Sequence, residues 1–159
     1  MRQRQFGMWA IICLAFLATA CAPVQYVSQY DAVTDQGVTA LQSKVNVHLT
    51  TLMAANESNC AFSNHENFYA EASADVDALI VRAEIVNDQI EGNLNRQTIG
   101  QLTGLKASIT DLRDTHAGAG CLSADAAGIA LDLLNTTFRA ILILEIAKKR
   151  ELTTVGGGS

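Results

Sequence analysis

Ser63 to Asn93 reads SNHENFYAEASADVDALIVRAEIVNDQIEGN. Ser63-Asn64-His65-Glu66 has the form of a capping box, in which a small polar side chain and a glutamate three residues on satisfy each other's free backbone N–H groups. Tyr69, Val76, Leu79, Ala83, Val86 and Ile90 follow in steps of three, four and seven. That spacing puts them on one face of a helix, because residues three and four apart lie one above the other. Gly92 and Asn93 are stop signals. The stretch predicts an amphipathic helix over 64–91.

The pattern repeats on both sides. Upstream, Val38, Leu41, Val45, Leu49 and Leu52 make a stripe within a helix predicted over 29–55, with Ser28 and Asp31 as a loose cap. Downstream, Leu102, Leu105, Ile109 and Leu112 mark a helix over 99–116, with Thr98 and Gln101 as its box and Gly118 and Gly120 as its stop. The last helix starts after Ser123 and reaches Arg150, carrying Leu131, Leu134, Phe138, Ile141 and Leu142 on one side. Asp125 in its first turn and Lys148, Lys149 and Arg150 in its last complement the helix dipole. No sustained period-two run competes with this reading, and aromatics are only 6% of the chain. Four helices with short connections predict an all-α, up-down-up-down four-helix bundle.

The N-terminus has a different character. After Arg2 and Arg4, Phe6 to Ala20 (FGMWAIICLAFLATA) carry no charge. The run is shorter than the roughly 20 residues that span a bilayer and ends in small residues, so it reads as a secretory signal peptide. Leu17-Ala18-Thr19-Ala20-Cys21 resembles the lipobox of bacterial lipoproteins, and Ala18-Thr19-Ala20 also fits the A-x-A site of ordinary secretion. The lipoprotein resemblance covers residues 1–22. It implies acylation of Cys21 with fatty chains such as palmitate. With Ala22 rather than aspartate next, it also implies a place in the cell outer membrane, facing the periplasm. Several acyl chains on one residue exceed what stable anchoring requires.

Cysteine parity points the same way. The four are Cys13, Cys21, Cys60 and Cys121. Cys13 leaves with the signal peptide, and plain secretion then leaves three, an odd number for an oxidising compartment. Acylation of Cys21 leaves two. Cys60 falls between the first and second helices and Cys121 between the third and fourth. An up-down bundle brings those connections to one end, so a disulfide between them is expected. The chain divides into a signal peptide (1–20), a lipid-anchored tether (21–28), a bundle (29–152) and a flexible tail (153–159). On this topology the start of the first helix and the Lys148–Arg150 end face the membrane.

Composition excludes some classes. From Cys21 onward there are 9 Lys and Arg against 16 Asp and Glu, a formal −7. An acidic chain without a basic cluster is not expected to bind nucleic acid. No G-x-S-x-G, phosphate loop or dinucleotide fingerprint occurs, and no catalytic residue and no cofactor are expected. His48, His65 and His116 all fall toward the disulfide end, but their spacing matches no metal motif, so they are weak metal candidates only. Glu145 falls in the middle of the apolar side of the last helix, where pairing with a cation such as Arg82 is expected. Ile143 and Ile146, with Ile129, point away from that side. Gly100 and Gly104 share a face of the third helix with Ala107. These two features nominate Ile143, Ile146, Gly100 and Gly104 as a surface for a protein partner. The expectation is a membrane-anchored, non-catalytic binding or structural module of the bacterial envelope. The alternative is a periplasmic bundle holding a small ligand or metal ion.

Overall fold

The computed structural model describes residues 30–55, 59–89 and 93–156, with side chains through 150. The signal peptide, Cys21 and the tether lie outside the described residues. Four α-helices follow in order: α1 (Ala32–Met53), α2 (Glu66–Gln89), α3 (Asn93–Ala119) and α4 (Ala124–Gly156), with a 3₁₀ turn at Phe62–Asn64 before α2. Each helix packs on the two beside it: α1 on α2 and α4, and α3 on α2 and α4. The result is the up-down-up-down four-helix bundle.

The stripes read from the sequence are its core. Val38, Leu41, Val45, Leu49 and Leu52 are buried on α1, Tyr69, Val76, Leu79, Ala83 and Val86 on α2, and Leu102, Leu105, Ile109 and Leu112 on α3. Leu134, Phe138 and Ile141 are buried from α4. Burying one such side chain contributes roughly 1.5–3 kcal/mol. Gly37 has a structural purpose that periodicity does not reveal. A Cβ there would lie 2.7 Å from Leu79 Cδ2, so its absence lets α1 and α2 approach closely.

Helix ends depart from expectation in six places, two of them small: α1 ends at Met53 rather than Ala55, and α3 runs through Gly118 to Ala119 rather than stopping at His116. Tyr30 and Asp31 precede α1 rather than belonging to it: Asp31 is the N-cap, its carboxylate accepting from the Thr34 backbone at 3.2 Å and the Thr34 hydroxyl at 2.7 Å. Asn64 and His65 belong to the 3₁₀ turn and its end, where His65 N–H donates to the Phe62 carbonyl, so α2 starts at Glu66. Helix α3 starts at Asn93, not Ile99. Thr98 does not cap it, because its hydroxyl lies 3.1 Å from the Leu94 carbonyl one turn back, inside the helix. Helix α4 runs to Gly156, so Thr153–Gly156 of the expected flexible tail are helical. Nothing between Arg150 and Gly156 interrupts a helix, since glycine is the first breaker met. At the other end of α4 the expectation holds, and the Ser123 hydroxyl accepts from Ala126 N–H at 3.2 Å.

Cys60 and Cys121 are disulfide-bonded, with Cα atoms 5.0 Å apart. The two connections also touch through backbone. Ala61 and Cys121 form an antiparallel bridge, and Phe62 N–H donates to the Gly120 carbonyl at 2.8 Å. Gly120 has φ +74°, a left-handed conformation that ends α3 and turns the chain into this contact.

Candidate functional site

Three features of the bundle hold the residues that the sequence singles out: the pole at the disulfide, a buried ion pair near the opposite pole, and the outer face of α4.

At the disulfide pole the three histidines do come together. The His48 and His65 rings have centroids 5.0 Å apart, and those of His65 and His116 are 5.5 Å apart. His116 is fully buried and acts as a bracket between elements. Its Nε2 lies 2.7 Å from the Cys60 carbonyl and its Nδ1 2.9 Å from the Tyr69 hydroxyl. The carbonyl only accepts, so Nε2 carries the proton and the tyrosine donates to Nδ1. His65 Nε2 is 2.8 Å from the Asn59 carbonyl. His48 stacks on Phe68 with centroids 3.5 Å apart. Its buried Nε2 has no hydrogen-bond partner among the described residues. Burial, with the neighbouring His65 and His116 adding to it, holds the His48 imidazole down at about 4. Burial likewise pushes the Tyr69 phenol up to about 12. Both His116 nitrogens are thus engaged within the bundle. No group of three His, Cys, Asp or Glu among the described residues is placed to hold a metal ion.

Glu145 does not pair with Arg82. Its Oε1 accepts from Lys148 Nζ at 2.6 Å, within one turn of α4, and lies 3.2 Å from the Thr98 hydroxyl of α3. Both side chains are buried. Arg82 instead makes a two-armed bond to Asp31, 2.8 and 2.9 Å, which ties the start of α1 to α2. That bond, the largest influence, holds the Asp31 carboxyl down at about 2. Lys148, expected among the cations facing head groups, is therefore unavailable to them. Lys149 lies over the Tyr30 ring, 5.4 Å from its centroid.

The third feature is the outer face of α4. One row of this helix, Ala127, Leu131, Leu134, Phe138, Ile141, Glu145 and Lys148, steps by four and three into the bundle. A second row on the opposite side steps the same way: Ile129, Leu133, Thr136, Ala140, Ile143 and Ala147. At 100° per residue the two rows lie roughly 200° apart. The second row meets solvent, with Ile129 72%, Leu133 59% and Ile143 54% exposed, and Ile146 on its flank at 47%. Apolar on both sides, Ala124–Arg150 is long and apolar enough to cross a membrane by length and composition. Here one of those sides is packed in the core. Beside the outer row, an open groove of about 300 Å³ runs between α3 and α4, lined by Leu112 and Thr115 across from Ile129 and Leu133. Thr98 meets Glu145 further along, so Gly100 and Gly104 lie level with the Ala140–Ile143 part of α4. Nothing lies within 4 Å of a Cβ built on either glycine, so no packing inside the chain requires them.

The residues nominated from the sequence thus fall into two groups. Ile143, Ile146, Gly100 and Gly104 are all surface positions on α3 and α4. His48, His65 and His116 gather at the other feature, around the disulfide. Sequence reasoning missed Leu133 as a member of the outer row, although its i+4 spacing from Ile129 was the available signal. No family model, no curated protein and no solved structure matches the chain.

Proposed function

We propose that this chain is a lipid-anchored protein of the bacterial envelope, with Cys21 acylated, and that its bundle is a non-catalytic binding or structural module for a protein partner. The outer face of α4 is the surface it uses. The observation that carries this reading is the second apolar row, since four large apolar side chains exposed along one helix are more than scattered surface hydrophobics. A helix with two apolar faces has two partners to bury them against, and the bundle supplies one. The lipobox-like Leu17–Cys21 segment and the cysteine parity support the anchor.

Two substitutions test the two halves of the proposal. Cys21→Ala releases the chain from the membrane fraction. Recovery of the variant in membranes overturns the anchor. Ile143→Asp with Ile146→Asp leaves the bundle helical, because both side chains point outward, and removes whatever protein co-purifies with the membrane-extracted chain. Unchanged co-purification overturns the assignment of this face.

A further inference from the structure

We propose that the outer row of α4 pairs with the same row of a second copy of this chain, the two helices running antiparallel. The inference deepens the binding reading by naming the partner, and it rests on the α4 face rather than on the lipid anchor.

The row is complementary to itself. Ala126, Ile129, Leu133, Thr136, Ala140 and Ile143 alternate steps of three and four, the a and d spacing of a coiled-coil seam. In an antiparallel pair each a position faces a d position of the other helix. Let the twofold axis lie level with the Leu134–Asn135 peptide. Ala126 then meets Ile143 of the second copy, Ile129 meets Ala140, and Leu133 meets Thr136. Each layer joins one large and one small side chain, so the helices keep an even separation from end to end. A parallel pair instead stacks Leu133 on Leu133 and Ala140 on Ala140, alternating crowded and empty layers.

Charge selects the same register. Asp132 and Arg139 flank the row, both exposed, and neither forms an ion pair among the described residues. The axis at Leu134–Asn135 sets Asp132 beside Arg139 of the second copy, twice by symmetry. A slip of one heptad either way brings Arg139 against Arg139, or Asp132 against Asp132. One register is attractive and both its neighbours are repulsive, which is how charge fixes pairing. Gly100 and Gly104 fit this account. Each costs roughly 1 kcal/mol of helix propensity relative to alanine with no return inside the chain. Both lie on α3 level with the Ala140–Ile143 layers, where they leave room beside α4 for an incoming helix. Antiparallel pairing also sets the two α1 starts at opposite ends, so an anchored pair lies along a membrane instead of standing on it.

The test uses two purified full-length chains with different tags, both with Cys13→Ala and Cys21→Ala so that the introduced thiol is the one free cysteine, carrying Ile129→Cys and Ala140→Cys respectively, mixed at high concentration under mild oxidation. Their retained helical circular dichroism is checked first. The expected result is a mixed-tag cross-link and none from Ile129→Cys alone, because antiparallel symmetry holds those two positions about 16 Å apart along the axis. Adding Asp132→Arg to both chains lowers the cross-linked fraction at least about tenfold. Adding Arg139→Asp as well restores it. A cross-link from Ile129→Cys alone overturns the antiparallel arrangement. No cross-link of either kind overturns the pairing, and is also what a face buried in lipid or against a different protein gives. Either failure leaves the anchor and a heterologous partner to be judged by co-purification.

Discussion

Replacing Lys148 with methionine leaves Glu145 as a buried carboxylate without its cation. Glu145 is fully buried, its Oε1 lies 2.6 Å from Lys148 Nζ and 3.2 Å from the Thr98 hydroxyl, and its Oε2 has no hydrogen-bond partner among the described residues. Removing one partner of a buried pair costs about 3–5 kcal/mol in general. Replacing both partners, Glu145→Leu with Lys148→Met, removes the desolvated charges together and costs less than about 1 kcal/mol or stabilises. Denaturant unfolding followed by helical circular dichroism, with the disulfide intact, measures all three chains at pH 7. A single-substitution deficit under about 1 kcal/mol would show that Lys148 does not compensate the buried carboxyl.

Three further outcomes follow from named contacts. Because His48 is held neutral at about 4 against an ordinary 6.5, the unfolded chain takes up a proton that the folded one refuses. Stability therefore falls as pH drops from 6.5 to 4, by up to about 3 kcal/mol, and His48→Gln flattens that slope in denaturation measured at intervals across the window. Gly100→Ala and Gly104→Ala each raise stability by about 1 kcal/mol in the isolated chain, while Gly37→Ala gains less because its new Cβ meets Leu79; equal gains at all three positions in thermal melts would contradict the packing. Cys60→Ala with Cys121→Ala lowers stability by up to roughly 4 kcal/mol for a bridge closing 61 positions, yet keeps the helical spectrum, since the chain is long enough to hold its own core.

The legible part of this fold is the part set by periodicity. The stripes on α1, α2 and α3 are core because a three-and-four step has one geometric meaning, and the disulfide follows from where two connections fall in an up-down bundle. Helix ends were less legible, because threonine and serine bond backbone in two ways. Thr98 reads as a cap from its neighbours, and only the presence of Leu94 and Glu145 in space shows it bonding inward. Arg82 and Glu145 illustrate a second limit. Each looks like the other's partner in one dimension, but Asp31 and Lys148 lie closer, and separation along the chain does not report that. Of the candidate site, Ile143 and Ile146 were legible because they fall opposite a stripe, whereas the exposure of Leu133 beside them depends on which side of α4 the other three helices cover.

On the proposed function, the outer row of α4 is covered in the assembled protein. In the chain alone Ile143 is 54% exposed and Val47, on α1, 65%, so cysteines at the two positions should react alike with a soluble maleimide. In membranes carrying the intact protein, Val47→Cys is expected to label rapidly and Ile143→Cys to be protected, with protection lost on denaturation. Labelling of both at the same rate in intact membranes contradicts it.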